Sequence, residues 1–322
     1  MRTSWLKVLH DVMLMAMSRL HCFMFVSTLT TYDDGNVLED VMLAVTNISP
    51  KDRPVMESIG RKKAIQILHQ WPHDTLAARS SPATLENSAI AGQAVNAPSR
   101  ITNLTEYMTK AWSVSNSEIA SKGAGVDDQF VYQRNKKMQE LINGIEYDLI
   151  NSTLVTGSTA VTRKMKGLLA GITTNSSTVA TGTTLTEAAF NSLFEVCWIA
   201  GGNPRTVFVN STLKKAITSF AGVSIQKQIA AEKKTMVEAV DFYVNDFTGT
   251  AEIVLSRDIP SGTNNNAIAV VDLAYYSTAY LIPIRDAEVG QTTFGKLGAL
   301  EAECTLEYRA QESSAVTYGY NG

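Results

Sequence analysis

The stretch from Lys62 to Ser115 reads "KKAIQILHQ", then "WPHDTLAARSSPATLENSAIAGQAVNAPSR", then "ITNLTEYMTKAWSVS". Its outer segments carry strand patterns. Ala64 to Trp71 alternates Ile65, Ile67 and His69 with Gln66, Leu68 and Gln70, and Pro72 is expected to end it. Ile101 to Ser115 alternates Thr102, Leu104, Glu106, Met108 and Lys110 with Asn103, Thr105, Tyr107 and Thr109. Together they predict one long two-stranded ribbon. Its tip, Trp71 to Arg100, is dominated by Ala, Ser and Asn and nearly free of large apolar groups. Such a tip cannot pack a core, and an isolated ribbon is marginal in water. The ribbon is therefore expected to project from its own body and to be supported by another subunit.

On either side the chain changes character. Upstream, "FVSTLTTYDDGNVLEDVMLAVTNISPKDRPVMESIGRKK" has no sustained period, which predicts an extended arm with one short helix around Arg53 to Ile59. The first residues, "MRTSWLKVLHDVMLMAMSRLHCFMF", resemble a signal peptide, but His10, Asp11 and Arg19 interrupt the apolar run. They are also too short and polar for a membrane span. An amphipathic helix and an upstream false start before Met24 are the two readings left there.

Downstream, Phe130, Met138, Leu141, Ile145 and Leu149 recur at helical steps. Asp127 and Asp128 stand where a helix dipole favours anions. A helix over 127–152 follows, a rod of roughly 39 Å at about 1.5 Å per residue. A Gly/Thr-rich bridge leads to a second helix from Thr184, where T-L-T-E predicts a capping box with Glu187. That helix should turn Leu185, Phe190, Leu193, Phe194 and Cys197 inward and stop at Gly201-Gly202. A buried strand "TVFV", a helix over Ser211 to Phe220, a mobile loop and a strand-rich remainder complete the chain. In the last part Leu300, Ala302, Cys304 and Leu306 alternate with Glu301, Glu303 and Glu307.

Composition and chemistry exclude more than they assert. The 322 residues are 45% hydrophobic, enough for a substantial core, while 18% are charged, below the usual quarter. A formal net charge of -3 gives the molecule no attraction for nucleic acid. Cys22, Cys197 and Cys304 have neither metal nor redox spacing, so buried thiols are expected. His69 and His73 have a zinc-like spacing, but Pro72 forbids the helix that spacing serves. No phosphate-binding loop, dinucleotide fingerprint or nucleophile elbow occurs. Five N-x-S/T sequons, at Asn47, Asn103, Asn151, Asn175 and Asn210, reflect abundant Ser and Thr. The basic cluster Arg134 to Met138 reads as a solvated helix face, with a contact to DNA or a neighbouring subunit as the second reading. No catalytic residue, cofactor or metal is expected.

The informative features are geometric, and so is the resemblance. "NISPKDRPVMESIG", "HQWPHDTL", "LTEYMTKAWSVSNS", "QRNKKMQELINGIEYDLINS", "TRKMKGLLAGI" and "FEVCWIAGGNPRTVFVNSTLKKAITSF", in that order, resemble the major capsid proteins of tailed bacteriophages with the Hong Kong 97-type fold. The resemblance spans roughly Asn47 to Tyr318. It implies an α+β chain: 1–23 as an extension outside the pattern, 24–62 as the N-terminal arm, and 63–116 as the extended loop. The peripheral domain would be 117–164 with 273–322, including a spine helix over 127–152, and 165–272 the axial domain.

The implied function is self-assembly into hexamers and pentamers of an icosahedral head around double-stranded DNA, bound without sequence specificity. Portal and cement proteins are further candidate partners, and no membrane is involved. The virion would be its place, after assembly in the host bacterial cytoplasm. Contact residues between subunits would include Arg79, Glu86, Asn87, Gln93 and Arg100 of the loop, and Lys227 and Lys233 of the axial loop. A tail-tube or decoration protein is the alternative, and an α/β enzyme stands further off.

Overall fold

The computed structural model describes residues 49–322 apart from 90, 91, 93, 94, 96, 122–127, 181, 221–240, 263, 264, 290–293 and 322. The amino-terminal extension, most of the arm, Cys22, Asn47, Asp127, Gln93, Lys227 and Lys233 lie outside the described residues. Helices and strands are mixed in three sheets. The four-stranded sheet has the order β1 (Gly60–Lys63), β10 (Tyr276–Ala287), β11 (Gly295–Tyr308), β4 (Glu106–Ser115), with β1 parallel to β10 and the rest antiparallel. The six-stranded sheet runs β5 (Ser176–Thr178), β12 (Ala315–Tyr320), β9 (Asn266–Val271), β6 (Thr206–Val209), β8 (Gly249–Leu255), β7 (Phe242–Asn245). A two-stranded ribbon pairs β2 (Leu68–His73) with β3 (Ser99–Leu104).

The six-stranded sheet is covered on both faces. Strand β9 is buried at every position: Ala267, Ala269 and Val271 join one core cluster, Ile268 and Val270 the other. A continuous apolar run is what a doubly covered strand requires. The second cluster is built by α5 (Glu187–Ile199) and α6 (Ser211–Phe220), through Phe190, Leu193, Phe194, Leu213 and Ile217. The first joins both larger sheets to the long helix α3 (Gln129–Asn151), which buries Leu141, Ile145, Leu149 and Ile150. Asp128 caps that helix, its Oδ1 accepting from the N–H groups of Phe130 (2.8 Å) and Val131 (3.2 Å). The helix therefore forms almost where its period placed it.

Several expectations are corrected. The ribbon is shorter than the alternation suggested. Pro72 does not end β2 but pairs with Arg100 inside it. In a two-stranded ribbon each strand has one side without a partner, so a missing N–H can face away from the ladder. The expected strand 101–115 breaks at Thr105, and its second half is the edge of the four-stranded sheet, paired with β11 from Cys304 to Gly295. The second helix is capped by Thr186, whose hydroxyl accepts from the Ala189 N–H at 3.3 Å; Glu187 is thus its first residue, and no box closes at Thr184. Leu185, buried ahead of the helix, is held in the core and moves the start forward. Residues 273–322 do not complete one sheet, because β12 pairs with β9 in the six-stranded one.

In β11 the alternation does not separate a buried face from an exposed one. Instead Glu303 and Glu307 are buried, as are Leu300, Ala302, Cys304 and Leu306 on the opposite face. The basic cluster is largely solvated, as expected: Asn135 and Lys136 are exposed and Arg134 holds Asp286 in an exposed pair with two hydrogen bonds of 2.8 and 2.6 Å, while Met138 packs against the core.

Gly298 stands opposite Trp112 in the β11–β4 pairing. A Cβ there would lie 2.4 Å from the indole and 2.9 Å from the Phe130 ring, so the missing side chain lets Trp112 stack over the strand. Gly298→Ala should destabilise the subunit by about 1–3 kcal/mol, as overpacking does. Equilibrium urea unfolding checks it, and an unchanged midpoint would refute this packing.

Candidate assembly surface

The extended loop leaves the body from a root built of β2, β3 and β11. Trp71 is buried and meets the Tyr308 ring edge-on at 5.2 Å. Asn103, also buried, donates to the carbonyls of Leu306 (2.7 Å) and Lys166 (3.0 Å), while its Oδ1 accepts from the Lys166 N–H at 2.8 Å. Glu307 lies among nitrogen groups from three segments: Lys62 Nζ at 2.7 Å, His69 Nε2 at 3.1 Å and Arg309 Nε at 3.5 Å. His69, Trp71 and His73 share one strand face, the period of two putting all three against β11 and the residues after it. His73 Nδ1 lies 3.1 Å from the Arg309 carbonyl oxygen. The two histidines that shared a metal-like spacing thus serve as ribbon anchors.

At the break between β3 and β4 a second cluster holds the turn. The Thr105 N–H donates to the Ile67 carbonyl at 2.9 Å. Arg163 donates from Nε to the Thr105 carbonyl and from Nη2 to Glu303 Oε1 at 2.5 Å. Glu106, one residue on, accepts from Met165 N–H (3.2 Å) and Ser152 Oγ (3.3 Å). Burial, and then the neighbouring Asp148 carboxylate, push the Glu106 carboxyl upward. Charges withdrawn from water survive only where hydrogen bonds replace the lost hydration, and this cluster replaces them.

The arm ends in a strap across the long helix. Glu146 of α3 is fully buried, and its two oxygens accept from the backbone N–H groups of Val55 (2.9 Å) and Met56 (2.8 Å) in α1 (Pro54–Ser58). Arg53 donates to Asn143 Oδ1 at 2.9 Å and also to Gln139, and Asn143 Nδ2 donates to the Pro50 carbonyl at 3.1 Å. Burial raises the Glu146 carboxyl, the two N–H donors pull it back, and Asp258 and Glu57 push it further up.

Every described residue from Asp74 to Pro98 is exposed, including Leu76 at 98%, Leu85 at 85% and Val95 at 92%. Asn87 takes the left-handed conformation (φ 60°) in a turn where the Ser88 N–H meets the Leu85 carbonyl. Arg79, Glu86, Asn87 and Arg100 all lie exposed on this loop or at its root. At the root itself Ile65, Ile67, Leu68 and Tyr107 present apolar area to solvent.

Sequence reading missed the anchors. Glu146 lies beside Ile145 and three residues before Leu149, a charge inside the apolar stripe of α3, and that was a legible signal. Asn103, Arg163 and Glu303 gave none, because their partners are 58 to 203 residues distant. The sequon asparagines also have structural partners: Asn151 donates to Asp258 O, Asn175 to Glu312 O, and Asn210 to Pro260 O. Cys197 and Cys304 are buried free thiols, each raised by burial to about 12.

Two outcomes test the anchors. Glu146→Ala should cost about 1–3 kcal/mol, the penalty for orphaned buried N–H groups, and speed tryptic cleavage at Lys51; Glu146→Gln, which keeps an acceptor, should cost less. Equal cleavage of all three proteins would refute the strap. At Glu307 burial alone would raise the carboxyl, but the hydrogen bonds and charges of Lys62 and His69 outweigh it and hold it below its ordinary 4.5. A depressed carboxyl stabilises above its ordinary pKa and loses that contribution as pH falls through the depressed value. Glu307→Gln should therefore destabilise at pH 7 and progressively less below 4.5. Urea midpoints across that range decide it.

The comparisons bear on this arrangement directly. No curated protein matches the sequence well enough to count as a relative. Solved capsids are similar in fold. The capsid subunit of cyanophage A-1(L) superposes with a TM-score of 0.71 at 14% identity, over 91% of this chain and 100% of that one. The capsid of a native GTA particle gives 0.66 at 12%, over 90% and 97%, and a structure from Mycobacterium phage Bobi gives 0.63 at 11%, over 92% and 99%. The family described as SU10 major capsid protein matches residues 25–321. A mixed fold shared with phage capsids, an anchored loop with no cover and a family match over nearly the whole length converge: the chain belongs to the SU10 major capsid protein family, and is a structural capsid protein rather than an enzyme.

Proposed function

We propose that this protein self-associates into hexamers and pentamers that tile an icosahedral head around double-stranded DNA. Residues 24–62 serve as the N-terminal arm, 63–116 as the extended loop, 117–164 with 273–322 as the peripheral domain and 165–272 as the axial domain. The single observation that carries the reading is the loop: rigidly rooted through Trp71, Asn103 and Glu307, yet exposed from Asp74 to Pro98. Ordering each residue of such a segment costs about 1–2 kcal/mol, and its own body returns nothing for it. A neighbouring copy supplies the missing contacts. Arg79, Glu86, Asn87, Gln93 and Arg100 are its contact residues, with Lys227 and Lys233 meeting their copies around the local symmetry axis.

Each contact can be weak, because one subunit touches several neighbours at once and effective concentration multiplies the total. A net charge of -3 lets the shell enclose DNA without gripping it, since phosphate binding needs net cations. Assembly takes place in the host bacterial cytoplasm, and portal and cement proteins are the further partners.

Deleting Arg79 to Val95 spares every anchor of the root. The expected outcome is a folded subunit, with native circular dichroism and unfolding midpoint, that forms no shells by negative-stain microscopy. Normal shells from this variant would overturn the role given to the loop.

A further inference from the structure

At the foot of the exposed loop, where β3 gives way to β4, two carboxylates meet. Glu106, the first residue of β4, is buried. Its Oε2 takes both donors, the Met165 N–H and the Ser152 hydroxyl, and no described group donates to Oε1. Asp148 stands on the long helix one turn before Ser152, whose N–H closes on the Asp148 carbonyl at 3.0 Å. Residues four apart share a helix face, so the contact of Ser152 with Glu106 turns Asp148 to the same side. Asp148 is half-buried, and its carboxylate accepts from no described group.

The surroundings do little to keep two negative charges apart. Among the described residues Lys164 is the cation that faces both, and it is itself exposed. Arg163 is next in the chain, but its guanidinium is engaged by Thr105 and by Glu303 on the other face of the sheet. Cys304 lies opposite Glu106 in the β11–β4 register, and burial, then Glu106 and Asp148, push its thiol to about 12, so it stays neutral. Burial and then Asp148 push the Glu106 carboxyl up, and burial pushes Asp148 up against the pull of Lys164. Neighbouring carboxyls withdrawn from water resist ionising together, and one proton held between them removes the repulsion and adds a hydrogen bond.

We propose that Glu106 and Asp148 share one proton, and that this proton pins the foot of the loop to the long helix, tight in acid and looser once the proton leaves. Glu106 directly follows Thr105, where ribbon passes into sheet, so pH acts at the foot of the loop rather than at its exposed end. The joint belongs to the single subunit and stands whether or not the loop ties copies together.

A carboxyl that holds its proton above its ordinary value stabilises below that value and loses the contribution as pH rises through the new one. The urea midpoint of the unassembled subunit should therefore fall between pH 4.5, the ordinary value for Glu106, and about pH 7.5. Glu106→Gln and Asp148→Asn are neutral and nearly isosteric. Each should at least halve that fall, and the double variant should flatten it no further than the stronger single. Singles whose effects add, or singles that leave the fall intact, overturn the shared proton. The other titrating groups are common to every variant and cancel in the differences. A second reading needs no unfolding: the Glu106 carboxyl carbon, followed by NMR in the folded protein, should titrate at lower pH in Asp148→Asn. An unmoved titration overturns the pair.

Discussion

Strand β11 is the element on which the other parts converge, because its second half is buried on both faces. One face packs Leu300, Ala302, Cys304 and Leu306 into the core shared with the long helix. The other carries Glu303 and Glu307, each withdrawn from water and compensated by partners from distant segments, the Arg163 guanidinium in one case and the Lys62 ammonium with the His69 ring in the other. Buried carboxylates are costly unless so paired, and a packed apolar face could replace them without loss of stability. What the ions add is direction. They bind at fixed geometry, so the root of the loop leaves the body at one angle.

The same logic recurs at the strap. Glu146 spends a buried charge on two backbone N–H groups, which places α1 on the long helix in one register. The short helix α1 and the exposed loop are thereby tied to the long helix and to β11 at defined points. The core shared by the long helix and β11 holds both attachment points still.

The lack of catalytic chemistry follows from the same economy. Carboxylates, histidines and arginines that in an enzyme would converge on a cleft are here consumed in anchoring. His69 and His73, the chain's nearest approach to a metal pair, face Glu307 and the Arg309 carbonyl. Cys197 and Cys304 are buried, and burial holds their thiols near 12, far from the thiolate that reactivity needs.

Local pattern alone determined the helices over 129–151 and 211–220, the buried strand 206–209, the short helix before Ile59 and the exposed, unpacked character of the loop, because each depends on periodicity or capping within a few residues. Six short motifs in order also sufficed for the family. Only the tertiary structure decided where the ribbon ends and the four-stranded sheet begins, which sheet takes β12, and that Glu303 and Glu307 point inward. The physical reason is distance along the chain. A strand's side chains alternate whatever lies beside them, so the sequence marks two faces but cannot say that the second will be covered by a loop root some two hundred residues upstream.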